Sequence, residues 1–315
     1  MGPSPSGFGA EIAIAEVGRS LLTSRTMIES LSHSARILCL LALTVLAGCK
    51  SYSPVALNLP EWSPDLEQVT TAEFEGNLVK LHNVRQCNYR SSTDYDAVWY
   101  DKQVNLDKIR TVDFVMIPFG NVPGLAHTLL SYGFEGDDYV GVSIEVRRKV
   151  GESYDPVIGL GPYYPIHYVF ADERDLIGRR AIYDLNDVYV YRANATAEQA
   201  REMFVDMCKR ANQLSVSPEY YNTLTNNCTT NVVRHVNTIA KYEKVPINGK
   251  VIFPGYSDRL AYQLGLIASD KPFEETKREA RVNELAYIYR DDPNFSRMIR
   301  QQHRNLALSE TAVHR

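Results

Sequence analysis

Residues 126–147 read AHTLLSYGFEGDDYVGVSIEVR, and this stretch decides the fold. Two alternating segments, Ala126 to Phe134 and Tyr139 to Arg147, flank Glu135-Gly136-Asp137-Asp138, so the spacing predicts an antiparallel hairpin with a short acidic turn. Side chains alternate between the two sides of a strand. That period puts His127 on the first strand and places Ser143 and Glu145 on one face of the second.

Working outward, NLDKIRTVDFVMIPF at 105–119 begins polar and turns apolar, as a strand entering a core does. Pro165 to Asp172 and Asp187 to Arg192 are rich in Tyr, Val and Ile and read as two more strands, with ERDLIGRR between them a short helix. Thr196 and Gln199 match a capping box at the head of AEQAREMFVDMCKRANQL, where Ala200, Met203, Phe204, Met207 and Cys208 recur at helical spacing. The expected class is α+β, an antiparallel sheet packed on helices. PGYSDRLAYQLGLI at 254–267 suggests another short helix, and residues 271–315 a charged, peripheral helical segment.

The segment YYNTLTNNCTTNVVRHVNTIAKY runs from a polar turn into a helix carrying Val232, Val233, Val236 and Ile239. Thr225, Asn226 or Asn227 can serve as its N-cap, which puts Cys228 in the first turn. A thiol there feels the positive end of the helix dipole and unpaired backbone N–H groups, both of which favour thiolate. The same N–H groups, of Cys228 and of Asn227, can hold an oxyanion. His127 is the candidate base, on a strand that a sheet packed against this helix can bring near. His235 is expected to be solvated on its own helix, while His82 and His167 sit in an undistinguished loop and strand. The bland alternative is a buried cysteine and a core histidine with no chemistry between them. No HExxH, paired CxxC, P-loop or dinucleotide fingerprint is present, so no metal or cofactor is implied.

The chain has 315 residues, 44% hydrophobic and 23% charged, with a net charge of -4, a globular composition. Without a basic run there is no counterion-release term, and nucleic acid is excluded as a partner. Residues 36–49, RILCLLALTVLAGC, have the layout of a secretory signal, and the apolar part is too short to span a bilayer. Leu46-Ala47-Gly48-Cys49 resembles a lipobox, which implies lipid on Cys49 as the membrane anchor. Lys50 after it implies the outer membrane, and Met27 is a second possible start. The expected organisation is an upstream extension and signal peptide at 1–48, a lipidated terminus and tether at 49–75, a catalytic domain at 76–270 and the charged segment at 271–315. The mature body keeps Cys87, Cys208 and Cys228; the first two could form a disulfide, though their loop and helix settings do not demand one.

AHTLLSYGF at 126–134, VSIEVRRKVGESYDP at 142–156, YVFADERDLI at 168–177 and YNTLTNNCTTNV at 221–232, extended by PGYSDRLAYQLGLI and by NFSRMIR at 294–300, resemble the Lnb N-terminal periplasmic domain family. Its namesake is a lipoprotein N-acyltransferase, and the order His then Cys resembles the circularly permuted NlpC-like papain fold. The resemblance implies Cys228 as nucleophile and His127 as base, with Glu145 orienting the imidazole and Ser143 behind it. It implies a lipid or lipoprotein acyl substrate. The namesake's membrane-embedded part has no counterpart here, since nothing in residues 50–315 is apolar enough to span a bilayer. Two other readings stand beside this one: a peptidoglycan amidase or peptidase of NlpC-like type, and a non-catalytic envelope scaffold.

Overall fold

In the computed structural model, which describes residues 61–301 except 121, 123 and 241–243, strand β5 (Ala126–Phe134) is buried along its whole length. Its neighbours explain why. The sheet runs β1 (Thr71–Glu75), β2 (Leu78–Tyr89), β7 (Ile166–Ala171), β6 (Tyr139–Val146), β5, β4 (Ile109–Pro118) and β8 (Tyr189–Arg192), with β3 (Tyr95–Asn105) added to β2. All pairs are antiparallel except β2 with β7, which meet in parallel through Arg85 and Ala171. The hairpin forms as expected, with Leu129 opposite Ser143 and Gly133 opposite Tyr139. Gly136 and Asp137 take positive φ in its turn, where glycine and aspartate pay least for the left-handed region.

Both faces of the sheet are covered at β5, so alternation along it sorts one core from another rather than core from solvent. One core joins Leu130, Tyr132 and Phe134 to Met203, Phe204 and Met207 of helix α1 (Ala197–Val216). There Phe204 lies edge-on to Tyr132 and Phe134, with ring centres 5.0 and 5.7 Å apart, a favoured aromatic geometry. The other core joins Leu129, Val115, Ile117 and Val169 to Leu176 and Ile177 of a π-helix (Arg174–Tyr183). Leu176 comes so close to β6 that a Cβ on Gly141 would lie 2.5 Å from its Cδ1, which is why glycine stands there.

Helix α1 opens on the expected capping box, with Gln199 N donating to Thr196 Oγ1 at 3.1 Å and Thr196 N donating to Gln199 Oε1 at 2.9 Å. Helix α2 (Cys228–Ile239) packs beside it over the same face. The short α3 (Gly249–Ile252) and α4 (Ser257–Gln263) follow.

The charged segment after residue 271 is not peripheral. Its helices α5 (Phe273–Ala280), α6 (Asn283–Ile288) and α7 (Phe295–Met298) bury Ala280, Val282, Ala286, Phe295 and Ile299. Beyond them, buried Arg300 donates to Asp113 at 2.8 Å and to Glu173 at 2.7 Å, and its guanidinium lies 3.8 Å from the ring centre of Tyr139. Arg300, one of the charges that read as peripheral in the sequence, is therefore the countercharge of two buried carboxylates. Cys87, on β2 rather than in a loop, and Cys208, on α1, are both buried and free, so no disulfide joins them. The segment read as a signal peptide and Cys49 lie outside the described residues. Among the described residues no helix is long and apolar enough to cross a membrane.

Candidate functional site

The polar turn before α2 is built for capping. Asn227 is the N-cap: its Oδ1 accepts from Thr230 N at 2.8 Å, and its own N–H donates to Thr230 Oγ1 at 2.9 Å. Cys228 is thus the first helical residue. The Asn227 N–H, expected to help hold an oxyanion, is already engaged; the residue instead fixes where the helix of Cys228 starts. The Cys228 Sγ is buried, 3.9 Å from the Ala126 carbonyl oxygen and 3.8 Å from Thr229 Oγ1. A hydrogen bond between the Thr128 and Thr229 hydroxyls, 3.0 Å long, pins β5 to the start of α2.

His127, Ser143 and Glu145 come together as the hairpin requires, in a different order from the one expected. The His127 Nε2 lies 2.7 Å from Ser143 Oγ, and Ser143 Oγ donates to Glu145 Oε1 at 2.9 Å. Ser143, not Glu145, is the group that touches the imidazole. A hydroxyl has one proton. Since that proton goes to Glu145, the Nε2 must donate to Ser143, which fixes the tautomer and leaves Nδ1 as the acceptor.

Glu145 is 3.6 Å from the buried Arg85, which is also held by Asp175 through contacts of 2.8 to 3.2 Å. Burial alone would raise the Glu145 pKa. The charges of Arg85 and Arg180, with that of His127, outweigh it and hold the carboxyl well below the usual range, so it stays an acceptor.

Cys228 shows the same contest. Burial pushes its thiol up, but the hydrogen bond and charge of His127, with the Thr128 hydroxyl and N–H, bring it down to about 7. Burial and the nearby Asp175 push Cys87 up to about 12, and burial alone raises Cys208. One thiol of the three is therefore placed to ionise near neutral pH. Carbamidomethylation of Cys228 by iodoacetamide is expected to rise about tenfold per pH unit below 7 and level off above it, because only the thiolate attacks. Peptide mapping checks this, and a midpoint at or above the ordinary thiol range contradicts it.

Cys228, His127 and Glu145 share the wall of a cleft of about 550 Å³ with Arg148, Arg179 and Arg180. Tyr221 also lines it, and burial together with the adjacent Cys228 keeps its hydroxyl protonated beside the Cys228 N–H. Sequence reasoning missed Tyr221 and Arg85; the run YYNTLTNNC held the only local signal for the first. Three other histidines were misread or passed over. His235 is buried rather than solvated, with Nδ1 2.7 Å from Asp206 and Nε2 2.8 Å from the Tyr168 hydroxyl. His82 lies on β2, not in a loop. His167 lies opposite Glu145 on β7, where burial and the charge of Arg147 lower its pKa to about 3.

Loss of either helix cap separates structure from chemistry. Asn227→Ala and Thr196→Ala are each expected to cost about 1 kcal/mol in urea unfolding. Only Asn227→Ala should move the Cys228 alkylation midpoint upward, because only that cap positions the sulfur.

No curated protein and no solved structure matches the chain. The family model of the Lnb N-terminal periplasmic domain matches residues 95–253, a span that contains His127, Ser143, Glu145 and Cys228. With half of its residues covered, the chain belongs to the Lnb N-terminal periplasmic domain family, and a periplasmic location fits that membership.

Proposed function

We propose that the protein is a membrane-tethered periplasmic cysteine acyltransferase or acyl hydrolase that works through a thioester on lipid or lipoprotein acyl groups. The observation that carries this is the contrast among the three thiols: Cys228, beside His127 at the start of α2, is drawn down to about 7 while its two companions are raised. The Cys228 thiol gives its proton to His127 Nδ1, and the thiolate attacks the acyl carbonyl. The Cys228 N–H and the Tyr221 hydroxyl, on the same cleft wall as the sulfur, hold the oxyanion. As the intermediate collapses, His127 returns the proton to the leaving oxygen and a thioester remains on Cys228. Water or an amine then takes the acyl group, with His127 accepting the proton.

Lipid on Cys49 and delivery to the outer membrane, inferred from Leu46 to Lys50, supply the tether. A histidine strand that precedes the cysteine helix supports kinship with the permuted NlpC-like papain fold. The three arginines of the cleft, which outnumber their partners Asp65 and Asp184, give the wall-peptide reading a foothold, since they suit a carboxylate of a murein stem.

The test is intact-mass analysis after incubation with phospholipid or diacylated lipopeptide. An acyl mass on the wild type and none on Cys228→Ala is the expected result; an adduct that persists in the variant rejects the mechanism. Release of peptides from purified murein, with lipid left intact, turns the reading to the amidase.

A further inference from the structure

The loops around the Cys228 cleft carry large apolar side chains in solvent. Val122 lies in the 119–125 loop, Val157, Ile158 and Leu160 in the 154–163 loop, Leu224 in the 222–227 loop and Tyr256 in the 253–256 turn. Their exposures run from 39% at Leu224 to 74% at Val157, too high for core residues that merely reach the surface. Val122, Tyr154 and Pro156 also line the cleft, so the first two loops form its wall.

Hydrogen bonds tie the loops in two pairs. Thr223 N donates to Gly159 O at 2.8 Å, Asn222 Nδ2 to Leu160 O at 2.7 Å, and Gly255 N to Gly124 O at 2.9 Å. Scattered apolar residues are ordinary on a protein surface, but two linked pairs of loops, one member of each lining the same cleft, make an interaction site.

Charge narrows the occupant. FGNVPGL at 119–125, PVIGLGPYY at 156–164 and NTLTNN at 222–227 contain no ionisable acid or base except tyrosine. Arg148, Arg179 and Arg180 stand behind the rim in the cleft. Three arginines share two carboxylates there, Asp65 with Arg148 and Arg179 and Asp184 with Arg179 and Arg180, while Glu145 is held by Arg85 and Asp155 by the N–H groups of Val157 and Ile158. Apolar tips on separate loops, with cations set back, suit the headgroup boundary of an anionic bilayer.

The path of the chain agrees. Val150 N donates to Glu61 O at 2.9 Å, and Trp62 pairs with Lys149, so the chain enters the domain beside the 154–163 loop. Cys49 precedes Glu61 by twelve residues, about 40 Å at full extension. We infer that this rim is a bilayer-docking face, which seats the Cys228 cleft on the surface of a membrane containing anionic lipid. The lipid tether comes from the proposed function; the docking itself needs no catalysis.

The experiment uses full-length Cys228→Ala protein carrying Leu160→Cys or Leu224→Cys, labelled with an environment-sensitive fluorophore. Val98→Cys, on β3, is the control. The proteins are reconstituted in phosphatidylethanolamine and phosphatidylglycerol vesicles that contain lipid spin-labelled near the glycerol. Quenching at 160 and 224 is expected to exceed that at 98 by about threefold or more. Equal quenching at the three sites overturns the proposal. So does shielding from aqueous iodide without lipid quenching, which would mean that a protein, such as a second copy, covers the rim. An acyl adduct on wild-type Cys228 together with rim labels that escape lipid rejects the docking face alone and leaves the thiol chemistry standing.

Discussion

His127→Ala is expected to form the acyl adduct about a thousandfold more slowly than the wild type at neutral pH, within the range general acid–base groups supply. Two losses combine. The sulfur keeps its burial but loses the neighbour that outweighs it, so the thiol returns above its ordinary value. The leaving oxygen also loses its proton donor. The adduct rate of the variant should therefore keep climbing past pH 9, where the wild-type rate is already flat. A stopped-flow or quenched mass measurement across pH reads both effects, and a variant profile that still levels off near 7 contradicts the pairing. Ser143→Ala should fall between the two, about tenfold below wild type, because His127 Nε2 loses its acceptor while Nδ1 remains.

Arg85→Met is expected to cost about 3–5 kcal/mol in urea unfolding, the usual loss when one partner of a buried ion pair is removed. Arg85 is 1% exposed and serves Asp175 and Glu145 together, so two carboxylates lose their countercharge at once. The pH dependence should change sign. In the wild type the Glu145 pKa is depressed, so its contribution is present above the ordinary carboxylate range and is lost as acid titrates it. Without Arg85, burial raises that pKa above the unfolded value. Its stabilising share is then present below the unfolded pKa and lost as pH rises, so the variant should gain on the wild type between pH 7 and pH 5. Equal slopes for the two proteins over that interval would falsify this electrostatic account.

What was legible in the sequence was local. The capping box of α1, the acidic turn between β5 and β6 and the start of α2 all depend on residues within four positions of one another, and all form as read. The site was legible as membership rather than order: period two puts Ser143 and Glu145 on one face, but which of them reaches His127 depends on how β6 sits beside β5. What failed was decided at long range. His235 is buried because Asp206 comes from α1 and Tyr168 from β7. Arg85 finds Asp175 ninety positions away. Arg300 looked solvated because its carboxylate partners, Asp113 on β4 and Glu173 at the mouth of the π-helix, lie far away in the sequence.

Arg300 gives the fold a way to register its own completeness. Asp113 and Glu173 are buried, and although Arg192 also holds Asp113, the cation that bridges both arrives only with residue 300. A copy cut short before that residue keeps two anions under its sheet with much of their compensation missing. Such a product is expected to open more often and to be cut by proteases faster than the full-length chain.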